Sequence, residues 1–245
     1  MVLGIETSTQ VMSVALLDAR NGASEFSLSR PRVHSSLLIP YIDRLLRDTG
    51  VRGQELAGIG VARGPGSFTG LRIGLTAAKT LSYAWGVRLV GLSTLRALAL
   101  SGSYHEGPVC TALDAKKDEV YAAVFHKEAE LVPEGSYPVQ QFLERLASCP
   151  GASVLVLGDA CVKYEQAFED ALAGRIKRPL LGQEMPRALN VALLAARALK
   201  RGESDDPVTL SANYLRRSEA EINWEKKMQK SSGQDPWYFP TSTRS

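Results

Sequence analysis

The stretch VLGIETSTQVMSVALLDARNGASEFSLS, residues 2–29, decides the fold. It holds three apolar, strand-like runs: VLGIE at 2–6, VMSVALLD at 11–18, and residues 23–29. Only TSTQ and ARNG separate them, and Asn-Gly is a strong signal for a tight hairpin. Connections this short join antiparallel neighbours, so the segment reads as a three-stranded meander.

Beyond it, the pattern changes period. From His34 to Thr49, apolar residues fall at Leu37, Leu38, Tyr41, Ile42, Leu45 and Leu46, the spacing of an amphipathic helix. Pro31 precedes it and Gly50 ends it; Pro40 lacks a backbone donor, which predicts a kink or a late start. Then come a strand (LAGIGVA), the loop GPGSFTGLRIG at 64–74, a helix to Trp85, a strand (VRLVGLS) and a short helix (TLRALALS). The order β-β-β-α-β-α-β-α is the plan of a ribonuclease H-like core, which actin, Hsp70 and sugar kinases carry twice.

The second half supports a duplication. PVCTALDA and EVYAAVFH form a hairpin around KKD, and a third short strand is expected at 129–132. PVQQFLERLAS reads as a helix, ASVLVLGDA as a buried strand, KYEQAFEDALA as a helix, and PRALNVALLAARALKRG as a strong final helix. The expected fold class is therefore α/β. It has two tandem ribonuclease H-like (actin/Hsp70-like, ASKHA) domains with mixed sheets flanked by helices, at 1–104 and 105–218. The architecture allows the final helix, 186–202, to pack back on the first domain. Residues 219–245 read as a polar tail that carries Trp237, Tyr238 and Phe239, either packed against a neighbour or serving as a docking peptide.

Composition narrows the function. Of 245 residues, 44% are apolar and 22% charged, an ordinary globular balance. A net charge of +3 is too small to argue for a dedicated nucleic-acid binder. No run of about 18 apolar residues suggests a membrane span, and MVLGIETSTQ lacks the features of a signal peptide. Three cysteines without a CxxC pair fit reduced thiols in a cytoplasm. Three histidines without HxxxH or HExxH make a histidine-built metal site unexpected.

Two stretches are candidates for chemistry. In GIETSTQ, Thr7 and Ser8 can present amides and hydroxyls to a nucleotide phosphate, with Glu6 placed to hold magnesium. Spacing alone favours an ordinary polar turn, in which the hydroxyls cap nearby backbone. In GPGSFTGLRIG, Gly64, Gly66 and Ser67 lie where a helix N-terminus can bind an anion, although the stretch matches neither GxGxxG nor GxxxxGKS. Gly66, Gly70, Gly74 and Ala78 are also four apart. A stripe without side chains admits a second backbone, either a partner helix or the chain's own sheet. The charged tip LDAKKDE and the strand end Gly158-Asp159 are weaker candidates, and no Ser–His–Asp or Cys–His set has suggestive spacing.

GIETSTQVMSVALLD, HSSLLIPYID, GIGVARGPGSFTGLRIGLTAAKTLSYA, LDAKKDEVYAAVF, GDACVKY and YLRRSEAE occur in order across 2–221, and together they resemble the TsaB (YeaZ) family. The resemblance implies a cytoplasmic, non-catalytic scaffold in tRNA threonylcarbamoyladenosine synthesis, at position 37 of tRNAs reading ANN codons. It implies TsaD as partner through the first two helices, the ATPase TsaE as a further member, and TsaC and tRNA indirectly. A homodimer through the same surface is implied for the chain alone, with no membrane partner. It implies no fixed cofactor, with ATP or ADP at the subunit junction as the candidate. On that surface the implied interface is Leu37, Leu38, Tyr41, Leu45, Gly70, Ile73, Gly74, Ala77 and Leu81, with the glycine stripe making the bundle tight. The alternative is a nucleotide-binding hydrolase or glycoprotease-like enzyme acting alone. The chain departs from the family at Glu6, where many members have Asp, and at ANYLRR, where PxYLR is common.

Overall fold

The computed structural model describes residues 1–215 except 19, 21 and 31–33. The expected tail, with Trp237, Tyr238 and Phe239, lies outside the described residues. The meander forms as β1 (Val2–Glu6), β2 (Val11–Asp18) and β3 (Gly22–Ser29), antiparallel in register from Val2↔Leu17 to Glu6↔Ser13. Helix α1 (His34–Thr49) leads to β4 (Gly58–Gly64), α2 (Phe68–Trp85), β5 (Arg88–Ser93) and α3 (Thr94–Ala99). β4 and β5 add in parallel, giving a mixed sheet in the order β3-β2-β1-β4-β5. α1 runs from His34 through Pro40, so of the two outcomes expected there, a kink or a late start, the late start does not occur.

The second half repeats the plan. β6 (Val109–Lys116), β7 (Glu119–His126) and β8 (Ala129–Pro138) form its meander, followed by α4 (Val139–Ala147) and β9 (Val154–Leu157). Next come α5 (Asp159–Lys163), α6 (Glu165–Leu172), β10 (Ile176–Lys177) and α7 (Ala188–Lys200). The sheet order β8-β7-β6-β9-β10 matches that of the first sheet strand for strand. β8 is longer than the segment expected at 129–132. Its Tyr137 pairs with Val120, and Pro138 becomes the cap of α4 instead of its first turn. KYEQAFEDALA divides between α5 and α6, and the two-residue β10 has too little pattern to be visible in sequence.

The period of two along β1 assigns the layers. Leu3 and Ile5 face α1 and α2 and join Leu38, Ile42, Leu45 and Leu75 in one core. Val2 and Gly4 face the other way, where α7 covers the sheet. Gly4 and Gly60 make that approach close: a β-carbon at Gly60 would lie 2.5 Å from Ala195 Cβ, and one at Gly4 would overlap the Ala188 carbonyl oxygen. Ser13 Oγ accepts from Ala188 N at 2.8 Å, and Arg187 pairs with the nearly buried Glu25. In exchange, α3 lays Leu95 and Leu98 on Val109, Ala123, Phe125 and Leu155 of the second sheet. Each half thus sends its last helix to the sheet of the other. A separate core beneath α4 and α6 centres on Phe142 and Phe168 and takes in all three cysteines, each a free thiol.

Candidate functional site

The turn after β1 is built against the start of α2. Thr7 Oγ1 donates to Gly70 O at 2.8 Å, and Ser67 N donates to Ser8 O at 2.6 Å. Ser67 caps α2 by accepting from Gly70 N at 3.2 Å. The glycine stripe is what admits this turn. A β-carbon at Gly66 would meet Ser8 O, one at Gly70 would meet Thr7 O, and one at Gly74 would meet Thr7 Oγ1. Gly70 and Gly74 are buried within the chain, so the stripe expected to meet a partner helix instead packs on the chain's own first hairpin. Leu38 and Leu45 are core residues for the same reason: their side chains are buried under the first sheet.

Glu6 lies beneath that turn and is 0% exposed. Its Oε1 accepts from Ser8 N at 2.6 Å and Ser8 Oγ at 2.5 Å, while Oε2 has no partner among the described residues. Burial pushes its carboxyl up to about 7, against the lowering effect of the Ser8 bonds. The Thr7 hydroxyl is therefore spent on the backbone of α2 and the Ser8 hydroxyl on the Glu6 carboxylate, not on the amides of their own turn.

A cleft of about 700 Å³ opens between the two halves. Ser8, Gly66 and Ser67 line it from the first half, with Thr69 and His34. Glu6, Thr7 and Gly64 do not line it; Gly64 instead abuts Asn213 O, 2.6 Å from where a β-carbon would stand. The residues fit a nucleotide phosphate poorly. The Ser67 and Gly70 amides are already bonded, the empty side of Gly66 is filled by Ser8, and Glu6 is sealed off.

The second half contributes Asp114, Lys116, Tyr121 and Asp159. The expected hairpin tip is there: Lys116, Lys117 and Asp118 have φ of 65°, 53° and 56°. Asp114 accepts from Lys116 Nζ at 2.7 Å and Lys163 Nζ at 3.0 Å. Burial raises its pKa, and the lysine bonds outweigh that and leave it lowered. Asp159 Oδ1 caps Asp114 N at 2.9 Å. The carboxylates at the cleft are thus engaged as structural acceptors.

His34 and Tyr121 are cleft residues that the sequence does not disclose. His34 is the first residue of α1, and its Nε2 lies 3.1 Å from Thr9 O, so that nitrogen carries the proton and donates. Nothing in its local sequence marks it.

The outer face of α1 and α2 is the second candidate surface. Leu37, Tyr41, Ile73, Ala77 and Leu81 are partly buried against the first core, with Tyr41 stacked on Phe26 of β3. Ile39 and Tyr83, absent from the expected interface, are 48% and 87% exposed. Tyr83 was readable, because it lies on the side of α2 away from Gly70, Gly74 and Ala78. Among the described residues no helix is long and apolar enough to cross a membrane, and no three His, Cys, Asp or Glu residues group as metal ligands.

The family model for TsaD, tRNA N6-adenosine threonylcarbamoyltransferase, matches residues 29–224. The chain is 32% identical over 227 residues to the tRNA threonylcarbamoyladenosine biosynthesis protein TsaB of Bacillus subtilis (strain 168), covering 91% of this chain and 97% of the relative. It is 33% identical over 129 residues to TsaB of Escherichia coli (strain K12), covering 52% and 55%. Among solved structures, YeaZ from Pseudomonas aeruginosa superposes with a TM-score of 0.72 at 29% identity, covering 87% of this chain and 98% of YeaZ. With two matching ribonuclease H-like sheets and similarity over nearly its whole length, this chain belongs to the TsaB family of tRNA threonylcarbamoyladenosine biosynthesis proteins.

Proposed function

We propose that this chain is a non-catalytic subunit of the assembly that makes threonylcarbamoyladenosine at position 37 of tRNAs reading ANN codons. It docks on TsaD through α1 and α2 and supports recruitment of TsaE. The observation that carries this reading is the exposed apolar and aromatic surface on the two helices, with Ile39 of α1 at 48% and Tyr83 of α2 at 87% exposure. Exposed aromatic residues over a preformed helix pair suit an interface anchor. The sealed Glu6 supports the non-catalytic part: its carboxyl serves Ser8 and has no path to a ligand in the cleft.

Binding of the full chain to purified TsaD tests the docking. Tyr83→Asp combined with Ile39→Asp is expected to weaken capture by about 2 kcal/mol or more, as removal of central anchors does. Both residues are exposed, so the fold should persist. Unchanged affinity in a folded double variant would contradict docking through this face.

A further inference from the structure

We infer that the N-terminal flank of α2, together with the segment following α7, forms a contact surface for an unpaired RNA strand. There Arg72 stacks on Phe68, with its guanidinium carbon 4.4 Å from the ring centroid. On Phe68, Tyr214 packs at 4.9 Å with 30° between ring planes. Arg72, Phe68 and Tyr214 thus form a short ladder with a cation at one end and a phenol ring at the other. Tyr214 is 42% exposed, and Arg72 is exposed with no ion pair among the described residues.

The ladder is held in place by the chain beneath it. Asp205 N donates to Leu89 O at 2.7 Å, and Gly91 N donates to Asp205 Oδ2 at 2.8 Å. Lys79 Nζ donates to Val208 O at 3.1 Å and Leu210 O at 2.9 Å. Asn213 N donates to Arg63 O at 2.6 Å, one residue before Tyr214. The ring is therefore presented by pinned backbone, which limits the ordering cost on binding.

An exposed aromatic ring accepts a base by stacking, and the Arg72 guanidinium, without an ion pair among the described residues, can accept a phosphate. The ladder adjoins the cleft, since Ser67 and Thr69, on either side of Phe68, both line it. That tRNA is the relevant RNA rests on the function proposed above; the chemistry of the ladder does not.

The test is fluorescence anisotropy of the full chain with a labelled uridine oligonucleotide and with an unmodified tRNA reading an ANN codon, over a range of salt. Arg72→Gln and Tyr214→Ser are each expected to weaken binding about tenfold, while Tyr214→Phe and the distant Lys177→Glu leave it near the unaltered value. Arg72→Gln should also lower the salt slope for the oligonucleotide by about 0.7, the loss of one phosphate contact. Denaturation midpoints and TsaD capture of the same variants are measured in parallel. Absence of RNA binding by the unaltered chain, or binding indifferent to Arg72 and Tyr214, overturns the inference. Lost TsaD capture with unchanged RNA affinity would assign the patch to a protein and overturn it too. The two proposals fail separately: if the unaltered chain does not capture TsaD, the scaffold falls, and the ladder is still decided by the anisotropy.

Discussion

A β-carbon at Gly74 would run into Thr7 Oγ1, and that overlap changes what a substitution there can report. Gly74→Leu looks in sequence like a probe of a partner interface. In the folded chain it strikes the first hairpin, so Gly74→Ala is expected to lower unfolding free energy in urea by about 1–3 kcal/mol, the usual cost of overpacking. An unchanged midpoint would contradict the packing described. Glu6 gives a second test at this scale. Its carboxyl stands near 7 in the folded chain against an ordinary 4.5, so the folded state keeps a proton that the unfolded state releases. Stability is therefore greatest below pH 4.5 as far as Glu6 is concerned, and falls as pH rises through 7. The full loss is about 3 kcal/mol by linkage. Glu6→Gln, which does not titrate, should flatten this part of the stability profile between pH 4.5 and 8.

At the scale of elements, the sequence was most informative where a pattern is long. The period of α1 from Leu37 to Leu46 and the two meanders were legible, because a regular alternation kept up over many residues rarely arises by chance. Short or non-local features were not. β10 has two residues, and the extension of β8 to Pro138 depends on pairing with β7. The glycine stripe was visible, but its partner was not, since helix spacing says that something comes close and not what. Only the fold places Thr7 and Ser8 there. α7 is the converse case: a clear helix in sequence, whose docking on the first sheet depends on Gly4 and Gly60 in strands far away. Gly60→Val should push α7 away from β4 and cost about 1–3 kcal/mol, measurable by chemical denaturation. A neutral result would place Ala195 elsewhere.

For the molecule as a whole, the exchange of last helices ties the halves together. α3 carries Leu95 and Leu98 into the second sheet, and Ser93 Oγ donates to Glu134 Oε1 at 2.6 Å on its edge strand. Leu95→Ala is expected to destabilise by about 2–5 kcal/mol, because the cavity opens in the packing shared by both halves. The duplication itself was legible from the repeated order of strands and helices. The cleft between the halves was legible only in part. Ser8, Gly66 and Ser67 were expected to share a site, but His34 and Tyr121 join them only through the relative placement of two sheets. The proposal with the widest consequence is that this chain is required for tRNA modification yet does no chemistry itself. Its most direct test is threonylcarbamoyladenosine formed on tRNA in a reconstituted reaction with a threonylcarbamoyl donor, TsaD and TsaE, with and without this chain, and with this chain in place of TsaD. Product is expected only when this chain and TsaD are both present. Product without TsaD, or a full yield without this chain, would contradict the scaffold role.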